Sequence, residues 1–416
     1  MEFMNCLATA AETIGQWGFS EGFATIMSEI KNPTFVGWLV KGLLDAVGNY
    51  GWAVVLFTVI LKVITLPLDF WQRFSMKKNA KMMSELAPMM AKLDKAYAND
   101  KNKLNQEKQK LYKKHGYNML SGCLPMIVTM AIFFIMFGGL NQCSAYVNLK
   151  VYSELSVFYT QTLSSELDKF SAEYEQNRYD ILLSGESGAI EDYKTWLGGQ
   201  GVEESEFEAR ISSATARISS IKAEAQAVAR KAVGEYFLEA KEGFLWITNI
   251  SRPDTWVEAF PETADKFTGT LTKRYRAYRD EFDSELYKEI YEGISEQGVG
   301  YKVGDKHWNG LMILPELSIE LSFLSSFSSN KTRKKKNDVE QLGPDAAAAQ
   351  STNKVMMFVM PIMMGIFGFI YTATFALYMV CSSLLSILFT LAMNPVIDRR
   401  VAKIESKTEK PDYRRK

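Results

Sequence analysis

Long uncharged runs alternate with strongly polar ones along the chain, which is typical of a membrane protein with sizeable soluble parts. A bilayer core is about 30 Å thick and needs about 20 apolar residues in a helix. Two such runs are Tyr50–Leu68 and Cys123–Leu140. A third, Val355–Ile397, carries no charge and as one helix would extend about 65 Å. It therefore predicts two spans that turn near "YTATF".

A weaker candidate span is 309–329, "NGLMILPELSIELSFLSSFSS", because it carries Glu316, Glu320 and several serines. The distribution of lysine and arginine indicates whether this segment crosses the membrane, since short cytoplasmic loops are enriched in both. They concentrate after the first span, in "NKTRKKKN" and in the C-terminal tail, whereas the long region before Asn309 is net acidic. The chain must therefore cross between them. This gives five spans, with the N-terminus outside and the C-terminus in the cytoplasm.

These patterns predict an all-α membrane protein with five transmembrane helices, a cytoplasmic helical hairpin and an extracellular helical subdomain. We expect it in a bacterial plasma membrane. The predicted segments are an extracytoplasmic N-terminal segment with an interfacial amphipathic helix (1–49), spans at 50–68, 123–140, 309–329, 355–373 and 374–397, the hairpin (69–122), the extracytoplasmic region (141–308), a cytoplasmic loop (330–354) and a basic tail (398–416).

Helical spacing is clear in both soluble parts. The hairpin's first helix carries an apolar stripe before a break at Asn99 and Asp100, formed by Met82, Leu86, Met89, Met90 and Leu93. Its methionines suit either ordinary packing or a soft surface for varied apolar partners. In the extracytoplasmic region one stripe predicts a long amphipathic helix, and "TKRYRAYRDEFDSELYKEIYEGI" predicts another. The stripe comprises Phe207, Ile211, Ala214, Ile218, Ile221, Ala225 and Val228.

Composition leaves little material for catalysis. The chain has 416 residues, no net charge, four scattered cysteines and two histidines. There is no CxxC and no spacing of metal ligands, so thiol, Ser-His and zinc chemistry are poorly supplied. We predict no enzyme, no cofactor, no metal site and no specific nucleic-acid site. The unusual residue is Lys62, near the middle of the first span, where a charge costs a few kcal/mol.

Several stretches resemble the YidC-type membrane protein insertases, in that family's order. They are "GNYGWAVVLFTVILKVITLPLDFWQRFSMKKNAKMMSELAPMMAKL", "LYKKHGYNMLSGCLPMIVTMAIFFIMFGGL", "FLWITNISRPDTW", "VMMFVMPIMMGIF" and "FALYMVCSSLLSI". The likeness is to Gram-positive members, which lack a large N-terminal soluble domain, with an apparent insertion at about 151–243. Lys62 stands where the family usually has arginine. Thr129, Ala131, Thr372 and Thr374 also depart from the family's common residues.

The resemblance implies a hydrophilic groove in the bilayer that receives hydrophobic client segments from the cytoplasmic side and releases them into lipid. The implied partners are nascent membrane proteins and membrane lipids, together with a ribosome and the Sec translocon. Each serine or threonine can instead bond to its own helix or across a helix interface. The candidate groove residues are Lys62, Thr129, Glu320, Thr372, Thr374, Tyr378, Ser382, Ser383 and Ser386.

Two other functions remain open from the sequence. In a secondary transporter or channel, Lys62 and Glu320 would form the transport site. In a structural anchor, the outside helices would serve a partner and Lys62 would have no role. Lys62 and Glu320 lie about 18 Å and 16 Å along their spans, so the sequence also predicts that they lie close together. Three arrangements of Glu320 stay open: a pair with Lys62, a protonated side chain, or contact with other polar groups.

Overall fold

The computed structural model describes residues 35–115, 120–183, 188–330, 358–359 and 361–408. The chain divides into two compact units. The first, here called the span unit, contains Thr34–Asn141, Pro253–Thr255 and Met312–Lys416. The second, the polar unit, contains Gln142–Arg252 and Trp256–Leu311.

The described fold is mostly α-helical, with one small β-hairpin. The elements are α1 Phe35–Val47, α2 Tyr50–Ala96, α3 Lys101–Lys114, α4 Leu120–Asp168, α5 Ser171–Asn177, α6 Tyr179–Leu183, α7 Ala189–Gly199, α8 Phe207–Ala240, α9 Ala264–Gly269, α10 Ser284–Gln297, β1 Tyr301–Val303, β2 Lys306–Trp308, α11 Ile313–Asn330, α12 Pro361–Ile370 and α13 Ala373–Thr408.

Three of the described helices contain segments long and apolar enough to cross a membrane. These segments are Tyr50–Ser75, Ile127–Asp168 and Ala373–Lys403. Helix α11 is shorter and more polar and is not among them. Helices α12 and α13 are separated at Tyr371 and Thr372, so the predicted turn in "YTATF" is confirmed.

Helix α2 joins two elements that the sequence divides. The predicted span ends at Leu68, but the helix runs for 47 residues through Pro67 and Pro88 to Ala96. At 1.5 Å per residue its length is about 70 Å. No glycine occurs between Gly51 and Gly116, so the only internal helix-breaking residues are the two prolines. The hydropathy change after Leu68 therefore marks a change of surroundings along one continuous helix.

The helix pair α2–α3 has its break at Tyr97–Asp100, which includes the expected Asn99 and Asp100. The Asp100 side chain caps α3 by accepting a hydrogen bond from the Lys103 amide at 3.0 Å. The two helices are also joined by a 2.7 Å ion pair between Lys108, which is buried, and Asp94. On the predicted apolar stripe Leu86 and Met90 are buried, whereas Met89 is exposed.

The helices of the span unit pack closely. Helix α13 contacts both α2 and α11, and α1 contacts α2. Phe137 of α4 meets Tyr371 and Phe375 edge-to-face, with ring centroids 4.7 Å and 5.1 Å apart. Asp254 caps α11, because its carboxylate accepts hydrogen bonds from the Met312 and Leu314 amides at 3.1 Å and 2.8 Å.

In the polar unit, α8 packs against α10 over an aromatic core that includes Tyr152, Phe267 and Tyr287. The expected amphipathic helix is present, but Val228 is exposed. The buried stripe instead continues through Ala229, because strict heptad spacing drifts around a helix with 3.6 residues per turn.

The second predicted helix of this region is wrong in its first half. Lys273–Glu281 forms a 3₁₀ segment, and α10 begins only at Ser284. Asp283 has an extended backbone, and its side chain caps α10 by accepting from the Glu285 amide at 2.8 Å. The antiparallel hairpin β1–β2 was also not expected from an all-α prediction. Gly304, with φ of +63°, lies in its turn.

We expect Gly365→Ala to destabilise the span unit, because a Cβ there would overlap the Ile319 side chain of α11. Overpacking of this kind costs about 1–3 kcal/mol and should lower the Tm in detergent. Gly368→Ala is the matched control on the same helix, since its Cβ would lie 3.4 Å from Ser318 Oγ. Equal Tm values for the two variants would contradict the close approach of α11 and α12.

Candidate functional site

The centre of the candidate site is an ion pair on α2. The Lys62 ammonium donates to Asp69 Oδ2 at 2.7 Å. The two side chains are only 13% and 15% exposed, although the surrounding segment is apolar enough to cross a membrane. Opposite charges at this distance satisfy each other far better than either would alone in an apolar medium.

Helix geometry explains how the pair forms. Residues seven apart lie almost two full turns apart, so Lys62 and Asp69 share one face of α2 about 10 Å apart along the axis. The flexible four-carbon stem of the lysine, the aspartate side chain and the 2.7 Å hydrogen bond together cover that rise. Between them, the Thr65 hydroxyl donates to the Lys62 carbonyl at 3.3 Å.

Polar side chains also lie on α13, the helix that packs against α2. Tyr378 hydrogen-bonds to Ser382 and lies within electrostatic range of Asp69. Ser383, the next residue of α13, hydrogen-bonds to Ser322 of α11, with the two hydroxyl oxygens 3.2 Å apart. Arg73, one turn beyond Asp69 on α2, is also within electrostatic range of its carboxylate. Among the predicted residues, the structure therefore pairs Lys62 with Asp69 and joins Tyr378 to Ser382 on α13. We call Lys62, Asp69, Tyr378 and Ser382 the polar strip.

The other predicted residues have different surroundings. Thr374 is fully buried. The Ser386 carbonyl accepts a hydrogen bond from Thr390, which is the back-bonding within one helix that serine and threonine favour. The Thr372 carbonyl accepts from the Phe375 amide at the start of α13. Thr129 is half-buried on α4.

The structure does not show the expected pair of Lys62 with Glu320. Among the described residues, the ion pair of Lys62 is with Asp69, and Glu320 is exposed on α11. The depth argument matched two spans but could not include the helix's own carboxylate, because Asp69 lies just beyond the predicted span end at Leu68. Sequence reasoning therefore missed Asp69, and the i, i+7 spacing of opposite charges was the signal for it.

A second contact joins α2 to α13 farther along both helices. Lys77 pairs with Asp398 at 2.7 Å, and the Arg400 guanidinium lies 5.2 Å from the centre of the Phe70 ring. A cation over an aromatic ring contributes a further attraction. The two helices that carry the polar strip, α2 and α13, therefore also contact each other beyond it. We call these four residues the clamp.

Comparisons with known proteins identify the class to which the chain belongs. The sequence model of the 60Kd inner membrane protein family matches residues 42–183 and 231–400. The chain belongs to this family. The unmatched internal segment, 184–230, is narrower than the insertion at about 151–243 that the sequence suggested. Family membership and the apolar helices together make the chain a multi-pass membrane protein of the bacterial type.

Curated relatives match shorter stretches. The membrane protein insertase YidC of Fusobacterium nucleatum is 40% identical over 118 residues, which is 28% of this chain and 56% of that protein. The protein of the same name in Caldanaerobacter subterraneus is 37% identical over 112 residues, 27% of this chain and 52% of the relative. The Helicobacter pylori protein is 41% identical over 99 residues, 24% and 17% of the two chains. The matched stretch is thus at most 56% of these relatives' length.

We expect Asp69→Ala to lower the Tm in detergent, because it leaves the Lys62 ammonium without its carboxylate in an apolar segment. An unsatisfied buried charged group costs about 1–3 kcal/mol or more. Glu320→Ala should shift the Tm much less, since that side chain is exposed. Lys62→Ala combined with Asp69→Ala should cost less than the sum of the single changes. Additive losses would contradict the pair.

Proposed function

We propose that this chain is a membrane protein insertase. It captures hydrophobic client segments from the cytoplasmic side in a hydrophilic groove within the bilayer and releases them into lipid. The proposal rests on family membership and on the curated relatives named as membrane protein insertases. The structural observation that carries it is the Lys62–Asp69 ion pair inside an otherwise apolar segment of the chain.

The polar strip supplies what a crossing polar tail needs. A client's hydrophilic end loses its hydration if it enters hydrocarbon alone. In a groove lined by Lys62, Asp69, Tyr378 and Ser382 it would exchange water for fixed charges and hydroxyl groups. Thr129, Glu320, Thr372, Thr374, Ser383 and Ser386 are the further groove residues of the proposal. No covalent step is involved, so none of these residues has a catalytic role.

Release into lipid needs an apolar exit, and α4 and α13 supply it. Both helices carry large exposed apolar side chains within their apolar segments, which is unusual for a water-soluble surface. On α4 these include Ile127, Phe134 and Ile135, and on α13 they include Leu384, Leu388 and Leu391. A hydrophobic client helix would leave the groove along these two surfaces.

The proposed topology has five crossings, with the N-terminus outside and the C-terminus in the cytoplasm. The distribution of lysine and arginine supports it, and α11 supplies the crossing that hydropathy alone does not identify. At 1.5 Å per residue, the 18 residues of α11 extend about 27 Å, close to the bilayer core. In this topology α3 and the clamp are cytoplasmic and the polar unit is an extracellular helical subdomain.

The proposed partners follow from this topology. Nascent membrane proteins are the clients, and lipids receive them. Basic residues of α3 and the tail would attract a ribosome or anionic lipid headgroups. The Sec translocon is a further proposed partner at the stage of release.

A reconstituted system tests the function directly. Purified protein in liposomes should insert a short single-span client and should not increase small-solute flux. Empty liposomes and the Lys62→Glu protein are the controls. Solute flux without client insertion would instead support the transporter or channel. If the protein neither inserts the client nor increases solute flux, that result would support the structural anchor.

The second test concerns the charge of Lys62. Variants of this residue are compared for client insertion in a strain depleted of its own insertase. Lys62→Arg should retain insertion of clients with acidic tails, because it keeps the positive charge. Lys62→Ala should reduce it, and Lys62→Glu should reduce it further, because a second carboxylate would face Asp69. Full activity of Lys62→Glu with acidic-tailed clients would reject the role of the charge.

The ribosome role is tested by truncation after Lys403, which keeps the clamp residues Asp398 and Arg400. Co-sedimentation with ribosomes should fall at low salt, and the difference from the intact protein should shrink as salt screens the charges. An unchanged yield at low salt would reject the role of the tail, leaving its charges to topology alone.

A further inference from the structure

We propose that Asp69 determines client specificity by acting as a resident counter-ion of Lys62. This inference rests on the proposed function and concerns the same site. With Lys62 already bound to a carboxylate of its own helix, an acidic client tail must compete with Asp69 for the ammonium. The preferred clients are therefore those whose translocated tails are uncharged or carry a basic residue.

The geometry supports competition. Asp69 Oδ2 lies 2.7 Å from the Lys62 ammonium, and neither side chain is more than 15% exposed. A client carboxylate that approached would bring a second negative charge next to the first, in surroundings where water screens little. It must either displace Asp69 or meet its repulsion.

An Asp69 carboxylate displaced from Lys62 can move next to Arg73. Arg73 follows Asp69 by one turn on the same helix, at the i, i+4 spacing at which opposite charges interact. A released Asp69 carboxylate would thus stay next to a cation, and the client's carboxylate would take its place on Lys62. The competition is then between two carboxylates for one ammonium, without a bare charge at any stage.

Basic client tails meet the opposite situation. A lysine or arginine in the tail would be attracted to the Asp69 carboxylate, which has two oxygens and accepts several hydrogen bonds. A site with a single unpaired cation would repel the same tail. The pair therefore widens the range of tails toward neutral and basic ones, at the expense of acidic ones.

The test compares two clients that differ only in the tail, one with acidic residues and one with glutamines in their place. Insertion into liposomes is measured for the wild-type protein and for Asp69→Asn, and the acidic-to-neutral ratio is calculated for each. We expect that ratio to rise several-fold in Asp69→Asn. Asp69→Glu keeps a carboxylate and should stay near the wild-type ratio. If Asp69→Asn does not fold, Asp69→Ser carries the same comparison.

The matched control is Asp45→Asn on α1. It removes the same charge from another lysine–aspartate pair within one helix, the exposed pair Lys41–Asp45. Its ratio should equal that of the wild type. A ratio that rises equally in both variants, or in neither, would overturn the proposal.

A second readout separates this proposal from the proposed function. The reactivity of the Lys62 amine toward a small acylating reagent, followed by mass spectrometry in detergent, should be higher in Asp69→Asn than in the wild type. Unchanged reactivity would overturn the counter-ion even if clients insert. Increased reactivity with no wild-type insertion would reject the insertase function and leave the counter-ion in place.

Discussion

The ion pair between Lys62 and Asp69 is the constraint on which the rest of the span unit depends. A lysine in the middle of an apolar segment needs an opposite charge or water. Here the opposite charge is on the same helix, nearly two turns away, so the pair exists only while α2 continues without a break past Pro67. The ion pair at the candidate site therefore depends on the continuity of α2.

The partner helix α13 is placed by contacts beyond the polar strip. The clamp joins Lys77 to Asp398 and Arg400 to Phe70, and α13 also packs against α2 and α11 along its length. Tyr378 and Ser382 lie one turn apart on this helix, and Tyr378 interacts electrostatically with Asp69. The aromatic contacts of Phe137 with Tyr371 and Phe375 hold the opposite end of α13 against α4.

Periodicity and hydropathy predicted the features that depend on local sequence. The turn near Thr372 and the break near Asn99 follow from such signals, and both are present. Features that depend on continuity or tertiary contact were missed. The hydropathy change at Leu68 predicts the end of a span, which separates Lys62 from Asp69, whereas α2 continues through both. The stripe that included Val228 followed sequence spacing too strictly, and Asp283 began a new helix where one continuous helix was expected.

The choice of an intrahelical pair over an interhelical one has a mechanical consequence. A bond between Lys62 and Glu320 would tie α2 to α11, and separating those helices would leave two charges without partners in an apolar segment. With Asp69 as partner, the pair moves with α2 as one body. Movement of α11 away from α13 would then break hydroxyl contacts such as Ser322–Ser383, which cost far less than a buried ion pair. Movement of α13 away from α2 would also break the clamp. The proposed groove would therefore open at a lower cost between α11 and α13 than it would if Lys62 were paired with Glu320.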